Sequence, residues 1–256
     1  MGSYLGKHAE YYDIFYQDKP YAAEAAFVAD ALTRYCGRKC EILLELGCGT
    51  GQHAFELEKM GYEIVATDYS EDLLDVAKRK AEEKNSRVKF SQQDMRNLNL
   101  RGETFDAAYC LFDSIGYVQT NFALNLALNG IRRHLRPKGI FIFEFWHAAA
   151  MIKNYEPVRE RNWKTADGEI RRVSKTRLDI PLQLAEVTYS IDAKKGTEID
   201  HLEETQVNRY FLVQEMAFFL EENGFKVVQF LPAYAKTTVI NEDTWHILAI
   251  AEKSKE

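Results

Sequence analysis

The stretch "LLELGCGTGQH" places three glycines, Gly47, Gly49 and Gly51, at alternate positions directly behind an apolar run. Glycine lets the backbone turn tightly and lets a ligand come close to it. A helix starting behind such a turn would aim its N-terminus at a ligand carboxylate. Glu45 precedes the turn, where it could meet a cation, and Cys48 lies within it. Asp68 follows the next apolar run, "YEIVAT". A carboxylate at a strand end can accept hydrogen bonds from both hydroxyls of a ribose. Asp94, in "SQQDMRNLNL", follows a third run, and its carboxylate could accept an adenine amino hydrogen while Met95 flanks the ring. A dinucleotide fingerprint needs G-x-G-x-x-G; here Gln52 stands where its third glycine belongs. The Gly-Lys-Ser/Thr of a phosphate-binding P-loop is absent too, so the turn is not laid out for a phosphate chain.

The elements that must hold these residues alternate from residue 40 to 146. Short apolar runs at 41–46, 62–67, 88–92, 104–110 and 140–145 read as strands. Between them, 51–60, 70–84 and 121–135 read as helices, with Ser70 as a cap and "RPKG" closing the third. An alanine-rich helix is expected at 20–35, with Pro20 at its start. Strand–helix alternation implies a doubly wound α/β sheet, mostly parallel, whose ligands bind beyond the carboxyl ends of the strands. After residue 150 the pattern changes to period two. "RRVSKTRLDI", "AEVTYSID" and "EIDHLEETQVNRYF", separated by "ADGE", "IPLQ" and "AKKGTE", read as an antiparallel insertion. A helix at 212–223, stopped by Gly224, and strands at 225–231 and 245–251 complete the chain, leaving "EKSKE" as a frayed tail. The expected division is a core of residues 1–150 and 210–256 with an acceptor-side lobe of 151–209.

Composition narrows the function classes. The net charge is −6, with no basic excess to suggest a nucleic-acid partner. No window is apolar enough to span a membrane, and "MGSYLGKHAEYYDIFY" lacks the pattern of a secretory signal. Gly6 stands where a myristoylation signal needs Ser or Thr. The four cysteines fit neither a zinc set nor a redox C-x-x-C. Reduced thiols and a cytoplasmic location are expected.

The ordered series "LLELGCGTG", "VATDYS", "QQDM", "FDAAYCLFDSIGYV" and "LRPKGIFIFEFW" resembles the motifs of class I S-adenosylmethionine-dependent methyltransferases. That resemblance implies a Rossmann-like, seven-stranded sheet whose last strand is antiparallel, and S-adenosyl-L-methionine as cofactor. It implies that Gly47, Gly49 and Gly51 approach the methionine part and that Leu111 lies near it. Asp68, with Tyr69 beside it, would hold the ribose, and Asp94 and Met95 the adenine. "YYDIFYQDKPYAAEA", "LFDSIGYV", "FEFW" and "HLEETQVNRYF" further resemble stretches of the sugar-nucleotide amine N,N-dimethyltransferases. In that subgroup a small residue commonly stands at Asp113, and an "EPWW"-like stretch at 144–147. On this resemblance Tyr12 and Tyr21 join the cofactor site, and Phe15 staples the first helix to the core.

Methyl transfer from a sulfonium is an in-line displacement, in which positioning supplies much of the rate. A neutral amine acceptor needs no metal, only a way to lose a proton. Asp113, Tyr117, Glu144 and His147, near the ends of strands four and five, are candidates to orient it or take that proton. Each has a plainer role open to it: a turn cap, a packing ring, an ion pair, a surface residue. Arg209, just before the last helix, offers a fork for a carboxylate or phosphate on the acceptor. "CLFDSIG" stands where amino-methylating DNA enzymes carry Asn/Asp-Pro-Pro-aromatic. The expected partner is therefore a small-molecule acceptor, with a nucleotide-linked amino sugar foremost. O- or carboxyl methylation, or a non-catalytic cofactor-binding regulator, are the alternatives. A homodimer paired through an exposed sheet edge of the insertion is the assembly expected.

Overall fold

A computed structural model of the chain describes residues 6–166, 168–235 and 237–254. Eleven strands and seven α-helices form two sheets among these residues. The larger sheet has the order β10-β11-β5-β4-β1-β2-β3. Its parallel part comprises β1 (Ile42–Leu46), β2 (Glu63–Asp68), β3 (Lys89–Gln92), β4 (Phe105–Cys110) and β5 (Leu135–Trp146). Strand β11 (His246–Lys253) runs antiparallel to both β5 and β10 (Phe225–Pro232).

Leu43, Leu44 and Leu46 are almost fully buried, because helices cover both faces of the sheet. Each such side chain contributes roughly 1.5–3 kcal/mol of burial. One face packs α2 (Tyr21–Tyr35) and α3 (Gln52–Lys59), together with part of α4 (Glu71–Lys84). The other packs α5 (Asn121–His134) and α7 (Val213–Glu222). Ser70 caps α4 through Leu73 N–H, and Thr120 caps α5 through Ala123 N–H. Strand β1 pairs with β2 on one side and β4 on the other, so the chain reverses its winding there. The carboxyl ends of β1, β2 and β4 thus flank a crevice.

A short helix, α6 (Ala148–Asn154), leads into a four-stranded meander of β6 (Val158–Lys164), β7 (Gly168–Asp179), β8 (Leu184–Lys195) and β9 (Glu198–Arg209). Its last two links are the turns expected from "IPLQ" and "AKKGTE", where Gln183 and Gly196 take positive φ. The chain's first described helix, α1 (Lys7–Phe15), leans on this sheet. Tyr11 and Phe15 pack with Trp163, Ile170 and Ile191, while Tyr12 packs with Leu73 of the core.

Three expectations need correction. Strand β6 was not anticipated: in "VRERNWK" only Trp163 is buried, so no apolar alternation announces it. "RPKG" does not close a helix but lies within β5, where the register against β4 shifts and Lys138 takes φ 60°. The tail is not frayed through Lys253. Glu252 pairs with Ile140, and the Lys253 ammonium donates to Leu135 O at 2.8 Å.

Candidate active site

The glycine turn and Asp68 are one unit. Gly47 has φ +66° and sits so close to the β4–α5 loop that a Cβ there would lie 2.6 Å from Ser114 Cβ. Cys48 N–H donates to Thr67 O at 2.9 Å, tying the turn to β2. The Asp68 carboxylate accepts from Gly49 N at 2.7 Å and from Ser70 N at 2.8 Å. Burial raises its pKa, against those amides and that of Tyr69. At most three of its roughly four lone-pair sites are therefore used, and it still lines the cavity beyond the strand ends.

That cavity measures about 1240 Å³ and lies between the core strand ends, α1 and the meander. Tyr12, Gly47, Gly49, Asp68, Tyr69, Asp94 and Met95 all reach its wall. Asp94 caps the turn at Met95–Asn97 and is forked by Arg96, whose Nη2 is 2.6 Å from Oδ2. The guanidinium holds that carboxyl below its ordinary range. Behind the turn a narrow recess is lined by Tyr21, Glu45, Cys48, Gly51-side residues Thr50 and Gln52, and Leu111. Gly51 itself has φ +80°, and a Cβ there would meet the Phe90 ring at 2.8 Å. In the recess the Tyr21 hydroxyl is buried without a hydrogen-bond partner among the described residues, and Glu45 is buried beside the Tyr109 hydroxyl. Burial raises Glu45 to about 8.

Across the cavity mouth, His246 brings two carboxylates together. Its Nδ1 is 2.9 Å from Asp113 Oδ2 and 2.8 Å from Glu144 Oε1. The other Glu144 oxygen accepts from Phe112 N and the Tyr234 hydroxyl, each at 3.1 Å. Burial raises Asp113 to about 6. Burial also opposes a charged imidazole, but Asp113 and Glu144 outweigh it and push His246 up to about 11. With both acids ionised, the cluster keeps one negative charge in excess. Tyr117 also lines the cavity, and its hydroxyl donates to Gln206 Oε1 at 2.9 Å.

Two residues expected on the acceptor side lie elsewhere. His147 is buried with Nδ1 3.1 Å from Thr244 O, and Trp146 reaches the cavity instead. Arg209 donates to Asn121 Oδ1 at 2.7 Å and to Glu215 Oε1 at 2.6 Å, over the rings of Phe211 and Phe219. Its neighbour Asn208 faces the cavity, as alternation along a strand requires. His246 was not anticipated. The fragment "DTWHILAI" reads as a strand start, and only the pairing of His246 with Trp146 brings it to β5.

Residues 43–139 match the family model described as a methyltransferase domain. The chain is 31% identical to a dTDP-3-amino-3,4,6-trideoxy-alpha-D-glucopyranose N,N-dimethyltransferase of Streptomyces venezuelae, over 75% of this chain and 73% of that one. The chain belongs to the class I S-adenosylmethionine-dependent methyltransferases. It is also 30% identical to a dTDP-3-amino-3,6-dideoxy-alpha-D-glucopyranose N,N-dimethyltransferase of Streptomyces fradiae, over 91% of this chain and 88% of that one. The fold is shared with an S-adenosylmethionine-dependent methyltransferase from Clostridium acetobutylicum, at TM-score 0.83 and 19% identity over 96% of both chains. As a methyltransferase of this class, the enzyme takes S-adenosylmethionine as its cofactor. The Tyr21 hydroxyl, unpartnered among the described residues, and the Glu45 carboxyl, with the side-chain-free turn beside them, fit a ligand that brings an amino acid end.

Proposed function

We propose that this methyltransferase methylates a nitrogen of a small-molecule amine, foremost an amino sugar carried on a nucleotide. One observation carries the reading: a single cavity joins the glycine turn to the carboxylate–imidazole cluster Asp113–His246–Glu144. The names of the relatives, both amino-sugar N,N-dimethyltransferases, support the acceptor class.

In this reading Gly47, Gly49, Gly51, Cys48 and Leu111 shape the methionine end, and Tyr21 and Glu45 meet its polar groups. Asp68 and Tyr69 hold the ribose, Asp94 and Met95 the adenine. Tyr12 roofs the turn; its hydroxyl lies 3.5 Å from where a Gly49 Cβ would be. Bound S-adenosylmethionine supplies a methyl group on a positively charged sulfur. Asp113 and Tyr117 orient the amine against it, and alignment of this kind is worth roughly 7–11 kcal/mol. The carboxylates of the cluster favour an arriving ammonium over a carboxylate acceptor. The ammonium must first give its proton to a base, with Asp113 the cavity-lining candidate. The neutral nitrogen's lone pair then attacks the methyl group as the carbon–sulfur bond breaks. His147 and Arg209, turned away from the cavity, support the fold around it.

The test is labelled-methyl transfer from S-adenosylmethionine to amines, hydroxyls and carboxylates, with nucleoside-diphosphate amino sugars among the amines. Transfer to amines is the expected result. Transfer to hydroxyls or carboxylates alone, or cofactor binding with no transfer at all, would overturn it.

A further inference from the structure

We propose that the cavity-facing side of β6 and β7 is an anion subsite that takes the phosphate or diphosphate of the acceptor, anchored by Arg172 with Arg161 as a second fork. The subsite rests on the methyl-acceptor reading only for what the anion is attached to.

Arg172 is 7% exposed, yet its side chain makes no hydrogen bond or ion pair with any described residue. Its guanidinium is boxed by rings instead, 4.5 Å from the Phe15 centroid, 5.0 Å from Trp163 and 5.2 Å from Tyr189. Aromatic faces stabilise a cation but accept no N–H in its plane. A buried arginine is normally matched by a carboxylate or phosphate. Here the residue lines the cavity, so its partner can come only from there.

The neighbouring strand adds to the same field. Arg161 stands directly opposite Arg172 in the β6–β7 register, and both reach the cavity. Like charges facing each other across a sheet repel. No carboxylate among the described residues pairs with Arg161 either. Arg159, two residues back on the same face, lies roughly 7 Å along the strand. The opposite face of the meander is built differently. There Arg171 is paired with Glu160 at 2.8 Å, and Arg177 with Glu186 at 3.1 Å. The outward arginines are neutralised; of the inward ones Arg159 is held by Glu156, and Arg161 and Arg172 are left open among the described residues.

The acids near this patch are already committed. Glu204 is engaged by His8 at 2.8 Å and Gln206 at 2.7 Å, and Glu156 by Arg159 at 2.7 Å. Two open guanidiniums side by side across β6 and β7 suit a diphosphate better than a single carboxylate, which one fork would satisfy. The cavity would then be polarised, positive under the meander and negative at Asp113–His246–Glu144.

Inorganic pyrophosphate is the probe, titrated calorimetrically into the full chain saturated with S-adenosylhomocysteine, with acetate as the carboxylate comparison. Saturable pyrophosphate binding is expected, tenfold or more weaker in Arg172→Met and several-fold weaker in Arg161→Gln, with acetate far weaker than pyrophosphate. The proposal is overturned by no saturable binding to the parent, by unchanged affinity in Arg172→Met, or by acetate binding as tightly. If Arg172→Met fails to fold, unchanged affinity in the exposed-site variant Arg161→Gln overturns it. Arginine-dependent pyrophosphate binding in a protein that methylates no amine would uphold the subsite and sink the methylation reading. Equal methylation of free and diphosphate-linked amines, with no competition by pyrophosphate, would do the reverse.

Discussion

Asp68 serves two masters. It ties down the turn through Gly49 N–H and, in the proposed site, receives the ribose. Asp68→Asn keeps the shape but gives up the charge, and should weaken S-adenosylmethionine binding by about 1–3 kcal/mol, the scale of charge-assisted hydrogen bonds. Calorimetry decides it; an unchanged affinity would remove the ribose assignment. Glu45 gives a pH signature. Its folded pKa is raised from the ordinary 4.5 to about 8 by burial. A carboxyl raised in this way contributes stability that is fully present below its unfolded pKa and is lost as pH rises through the folded value. The urea-unfolding free energy of the parent should therefore fall between pH 5 and 8 more than that of Glu45→Gln, by up to a few kcal/mol at about 1.4 kcal/mol per unit. Equal slopes in the two proteins would show that Glu45 does not titrate in this window.

Among the elements, those with a strong apolar period were readable in advance. The runs feeding the glycine turn and Asp68 had no other good explanation than buried parallel strands, and the Ser70 cap marked the start of α4. Strand β6 was opaque because its residues are charged on both faces; only the cover of α1 decides which charges are enclosed. For the same reason "RRVSKTR" is readable as a strand, while nothing in it shows that Arg172 is buried. Arg209 illustrates the opposite error: a strand-end arginine near the site was legible, but the side of the strand it occupies was not. Gly47→Ala tests how tightly the turn element is packed. It forces a side chain into φ +66° and against Ser114. A left-handed residue alone costs about 1–2 kcal/mol, so both the urea midpoint and cofactor affinity should drop. Full retention of both would mean that the β4–α5 loop yields more easily than its contacts imply.

At the scale of the molecule, α1 is the link between the two sheets. Tyr12 on this helix covers the glycine turn, while Phe15, one turn later, packs 4.9 Å from Trp163 of the meander. Cofactor binding should therefore slow amide hydrogen exchange in α1 and also in β7, which never touches the cofactor end. In Phe15→Ala, which empties a buried ring at a cost of about 3–5 kcal/mol, the slowing in β7 should vanish while that in α1 persists in part. Protection of β7 that survives the substitution would show a route other than the helix. The meander leaves the core after α6 and rejoins it just before α7, so its strands look like a cassette that a lineage could exchange to change clientele. The helix prevents a clean exchange. Phe15 and Tyr11 are fitted to the lobe's own Trp163 and Ile170, so a transplanted lobe would arrive without its keystone. The heritable unit of acceptor choice is thus split along the chain, and a graft that is to work must carry the opening helix together with the distant strands.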